Sequence, residues 1–110
     1  MMQIIEKNEG SKIAHEENGT MVFLGDYELM LNVAKYQRDW PVHIDICSNR
    51  DNQLVVGTGE GLFYVAQFDI PATKYTEPAT EEEAPEPMPI DMGEVVLTLW
   101  SLDNPIPAEI

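Results

Sequence analysis

Gly93-Glu94-Val95-Val96-Leu97-Thr98-Leu99-Trp100-Ser101-Leu102 is the stretch that decides the fold. β-Branched, aromatic and leucine side chains crowd a run that begins just after a glycine, which is the signature of a strand. At its centre both alternating faces are apolar, with Val95, Leu97 and Leu99 on one and Val96 and Trp100 on the other. Such a segment belongs inside a sheet or between two layers. A second run, Leu62 to Ile70, has the same character. Leu62, Tyr64, Ala66 and Phe68 share one face and Phe63 and Val65 the other.

Between these two runs the composition changes. Glu77 to Asp91 reads Glu-Pro-Ala-Thr-Glu-Glu-Glu-Ala-Pro-Glu-Pro-Met-Pro-Ile-Asp. Proline removes backbone donors and breaks helices, adjacent glutamates repel, and little here is worth burying. The segment from about 75 to 93 therefore reads as an extended, mobile acidic loop with polyproline II character between the last two strands. Loops longer than ~12–15 residues inside a compact domain are usually functional or disordered. This loop is the strongest pointer to anything beyond folding.

Working outward, turn-forming residues recur at short intervals: Asn8-Glu9-Gly10, Asn18-Gly19, Gly25-Asp26, Asn49 to Asn52, and Gly57-Thr58-Gly59-Glu60-Gly61. They separate candidate strands at Gln3–Glu6, Lys12–Glu16, Thr20–Leu24, Val42–Ser48 and Gln53–Val56. The pattern predicts a mainly β protein, a small antiparallel sheet, sandwich or partly open barrel. Tyr27 to Asp39 is ambiguous. As a strand it puts Tyr27, Leu29, Leu31 and Val33 on one face. As a short helix around 27–38 it is capped by Asp26 and puts Glu28, Asn32, Lys35 and Asp39 on the polar face. The strand reading is placed ahead, and Trp40-Pro41 ends the segment either way.

The 110 residues suit one domain spanning 1–110. Twenty acids against six bases give a net charge of -14, and nine of the acids lie after Lys74, the last base. That balance disfavours direct binding to nucleic acid or anionic membranes. No apolar run approaches the ~20 residues of a transmembrane helix, and the first residues lack the basic-then-apolar build of a secretory signal. The single cysteine, Cys47, excludes an intrachain disulfide and points to a reducing cytoplasm.

Val42-His43-Ile44-Asp45-Ile46-Cys47 alternates. With Val42, Ile44 and Ile46 inward, His43, Asp45 and Cys47 line the other face about 6.6–6.8 Å apart. Imidazole, carboxylate and thiolate all ligate transition metals, and His15 is the nearest thing to a fourth ligand. A polar outer row beside a small buried thiol explains the same pattern, so no metal or other cofactor is assigned. A Cys47–His43 nucleophilic pair needs a depressed thiol pKa, which an acidic strand opposes. The glycines at 57–61 lack the following helix or lysine of a phosphate loop and read as a hairpin turn. Glu81, Glu82 and Glu83 read as a solvated run rather than a catalytic pair.

The two-faced apolar strands exceed what a chain of this size covers for itself, which favours self-association or a protein partner. The expected function is a non-enzymatic binding or assembly component, an accessory protein of a bacterial or phage type. Phe63, Val65, Trp100 and the Glu81–Glu83 run are the expected contact residues. Two alternatives are an acidic nucleic-acid mimic that inhibits a DNA-binding protein, and a small metal-dependent hydrolase built on His15, His43, Asp45 and Cys47.

Overall fold

The computed structural model describes residues 2–51, 53–57, 63–103 and 107. The chain is mainly β, as the punctuation and apolar runs predict. Among the described residues eight strands form two open sheets: β1 (Gln3–Glu6), β2 (His15–Asn18), β3 (Met21–Leu24), β4 (Leu29–Asn32), β5 (Val42–Ser48), β6 (Leu54–Val56), β7 (Phe63–Ile70) and β8 (Val96–Leu99). The larger sheet has the order β1-β8-β7-β5-β6 and the smaller the order β2-β3-β4, so neither closes into a barrel. Among the described residues no helix is long and apolar enough to cross a membrane.

Strand alternation builds one core between the sheets. Val22, Leu24 and Leu31 from the smaller sheet meet Ile44, Ile46, Ala66, Phe68, Ile70, Leu97 and Leu99 from the larger. Each fully buried large aliphatic or aromatic side chain contributes roughly 1.5–3 kcal/mol. The tight β2–β3 connection through Gly19 and Thr20 needs a left-handed residue, and Gly19 supplies it at φ +62°. That turn sets the register, so β2 begins at His15 rather than Lys12. Among the described strands all pairings but one are antiparallel; β1 runs parallel to β8, with Gln3 opposite Val96 and Glu6 opposite Leu99. Nearly the whole chain serves as the connection between those two strands, a distance over which turn residues carry no information.

The ambiguous 27–39 segment divides. Leu29–Asn32 is a strand, as preferred, and a single helical turn, Val33–Tyr36, follows it. The polar helical face does not form, because Leu31 is committed to the core opposite Val22. The glycine turn at 57–61 and the start of the second apolar run at Leu62 lie largely outside the described residues.

The second apolar face of β7 has a local cause. Ile46 pairs with Ala66 but Cys47 pairs with Tyr64, so Val65 is an extra residue in a β-bulge. At the bulge consecutive residues are buried on both strands: Val65 is 3% exposed and Ala66 fully buried, and across from them Ile46 and Cys47 are both fully buried. Val65, expected among the contact residues, is therefore packed within the chain itself.

Candidate functional site

The outward face of the larger sheet carries a continuous polar chain. Register places His43 opposite Asp69 and Asp45 opposite Gln67 on β5 and β7. His43 Nδ1 lies 2.7 Å from Asp69 Oδ1, and His43 Nε2 lies 2.8 Å from Asp45 Oδ1. Gln67 Nε2 donates to the same Asp45 oxygen at 2.9 Å. The Trp100 indole N–H donates to Gln67 Oε1 at 2.9 Å. Trp100 in turn stacks on Tyr64 with ring centroids 5.0 Å apart, and Lys7 Nζ sits 5.8 Å from the Trp100 ring centroid.

Both ring nitrogens of His43 face carboxylates. A neutral imidazole has only one N–H, so one nitrogen lone pair then opposes a carboxylate oxygen. The doubly protonated ring satisfies both. The His43 pKa is accordingly raised, chiefly by the hydrogen bond to Asp69; partial burial opposes this, and Asp45 adds to it. The arrangement favours the protonated ring, shared between two strands. It offers no free nitrogen for general-base work or for a metal.

Cys47 does not join this row. Its side chain is fully buried, and burial, followed by the charge of Asp45, pushes its thiol pKa up. That is the opposite of an activated nucleophile. His15 lies on β2, opposite Leu24 in the other sheet. Among the described residues no group of three or more His, Cys, Asp and Glu side chains is placed to hold a metal ion. Gln67 and Asp69, which complete the polar row, are not singled out by the sequence. They become legible only when β7 is placed beside β5.

The second feature is the acidic segment between β7 and β8. It folds back on itself as a paired arm. Thr76 N–H donates to Glu86 O at 2.9 Å, Met88 N–H to Lys74 O at 2.7 Å, and Tyr75 bridges Pro87. Three contacts fix its base. Thr73 N–H donates to Arg38 O at 2.8 Å, the Tyr75 hydroxyl donates to Asp39, and Lys74 pairs with Glu94. At the tip the Glu83 carboxylate accepts from Ala79 N–H at 3.1 Å, leaving Glu81 and Glu82 in solvent. Every residue from Lys74 to Pro89 is exposed. The molecule is correspondingly elongated, 55 × 26 × 22 Å.

Of the remaining expected contact residues, Phe63 is 36% exposed and borders a cleft of about 480 Å³ that Ile13, Leu54 and Leu102 also line. Trp100 is half-buried and fully engaged in the polar row. Compared with known proteins, the chain matches no family model, no curated protein and no solved structure.

Proposed function

We propose that this chain is a non-enzymatic binding component that engages a protein with a basic surface through its acidic arm, in a reducing cytoplasm. One observation carries the reading. The arm is internally paired and anchored at its base, yet from Lys74 to Pro89 it buries no side chain. A segment ordered in this way contributes nothing to the chain's own core. Glu77, Glu81, Glu82, Glu83 and Glu86 supply its charge, and its lone base, Lys74, is already paired with Glu94. Such a surface steers cationic partners and repels nucleic acid and anionic membranes.

The nucleic-acid-mimic reading is a narrower form of this one, in which the basic surface is a DNA-binding groove. It needs carboxylates at phosphate-like spacing on a rigid face, and no specific observation favours it. The hydrolase reading has less support, since two of its four candidates are occupied: His43 is engaged at both nitrogens and Cys47 is buried.

Site-specific photo-crosslinking in the producing cell tests the proposal. A photoreactive residue at Thr80, at the arm tip, is compared with one at Met30, which is 58% exposed on the smaller sheet. A discrete protein adduct from Thr80 and none from Met30 supports it. Equal adducts from both positions, or none from Thr80, overturns it.

A further inference from the structure

β1 is an edge strand, and its free side is well defined. Gln3 N–H donates to Val95 O and Lys7 N–H to Leu99 O, so the odd-numbered residues face β8. The N–H and C=O of Ile4 and Glu6 therefore point away from the sheet, and no described residue pairs with them. Two large apolar side chains accompany this open edge: Ile4 is 41% and Ile5 49% exposed. Edge strands are normally blunted because they template pairing with another chain.

Charge identifies the occupant. The chain carries -14 overall, yet residues 2–12 hold two acids, Glu6 and Glu9, against two bases, Lys7 and Lys12. Even with the Glu17 carboxylate that accepts from Met2 N–H, two copies that approach through this edge bring together far less like charge than contact through the arms does. We infer that β1 pairs antiparallel with β1 of a second copy, joining the two larger sheets into one continuous sheet across a two-fold axis.

The register follows from elimination. Even-numbered residues must oppose one another, because only they present outward hydrogen-bonding groups. Centring the pair on Ile4 would place Glu6 opposite Met2, whose N–H already donates to Glu17 Oε1 at 2.9 Å. Centring it on Glu6 would oppose two carboxylates. Centring it on Ile5 pairs Ile4 with the second copy's Glu6 twice over. All four outward donors are then used, Ile5 meets its symmetry mate on the outer face, and Lys7 lies opposite Gln3.

Ile5 and its mate form a non-hydrogen-bonded pair in this arrangement, with Cα atoms ~4.5 Å apart, a separation that accepts a disulfide. The test combines light scattering with cysteine trapping. Wild-type protein is expected to move from one-chain to two-chain mass as concentration rises from micromolar to millimolar. Ile5→Lys, which sets like charges at the axis, is expected to raise the dissociation constant at least tenfold without lowering the melting temperature. Ile5→Cys is expected to form a covalent dimer on mild oxidation, while Met30→Cys on the other sheet does not. One-chain mass at every concentration overturns the inference. So does a dimer that survives Ile5→Lys, or equal trapping through Met30→Cys. These readouts concern β1 alone, so they are independent of the arm's partner.

Discussion

Phe68 and Leu97 stand opposite each other on β7 and β8, both fully buried, and the acidic arm leaves the sheet from one of these strands and returns to the other. The pair closes the sheet beneath a segment that would otherwise separate its two halves. Phe68→Ala is expected to cost about 3–5 kcal/mol and Leu97→Ala about 2–5 kcal/mol in urea unfolding. Because the side chains share a face, the double variant should show a coupling of ~0.5–3 kcal/mol. Costs near zero for either single change would mean that the two strands do not pair.

The His43 clamp makes stability depend on pH. The folded pKa is raised by Asp69 and Asp45, so the folded chain binds the proton more tightly than the unfolded chain. The stabilisation is complete below the unfolded value of ~6.5 and is lost as pH rises through the folded pKa. The melting temperature of the wild type should fall across that interval. His43→Gln should flatten the profile there, and an unchanged slope in that variant would remove the clamp from the explanation.

Gly10 meets two constraints at once. Its φ is +125°, and an added Cβ would lie 2.2 Å from Ser101 Oγ. Ser101 is itself buried, and its hydroxyl accepts from Asp103 N–H, so it cannot simply swing away. Gly10→Ala should therefore destabilise by more than ~1 kcal/mol in chemical denaturation. Ser101→Gly in the same chain should recover part of the loss, because the clash goes and the backbone strain stays. No recovery would mean that the side-chain clash contributes nothing.

Cys47 should behave as a packing residue. Its burial and raised pKa predict that a thiol reagent labels native protein more slowly than unfolded protein by about the folded-to-unfolded ratio, on the order of 10³ or more. Rapid labelling of the native chain at neutral pH would restore it as a candidate nucleophile.

The fold is legible in the sequence where alternation and turn chemistry agree. Val42–Ser48 and the run around Leu97 are strands for the reasons their side chains suggest, and Gly19 turns the chain where a glycine must. The rest depends on register. Alternation along β7 makes Val65 a second-face residue, and only the bulge opposite Ile46 and Cys47 reveals why it is buried. Of the polar row, His43 and Asp45 are readable from one strand. Gln67 and Asp69 come from a strand about 20 residues away and carry no local mark. The arm's composition is plain, but its pairing rests on Thr76 with Glu86 and Lys74 with Met88, contacts that proline content argues against.

The arm's role is tested most directly by the yield of protein adduct from a photoreactive residue at Thr80, measured before and after Glu81→Gln and Glu82→Gln are introduced together. Both carboxylates lie in solvent, so the fold should be unchanged within about 0.5 kcal/mol. Loss of most of the adduct is the predicted result. An undiminished yield from the neutralised tip would contradict a charge-guided contact.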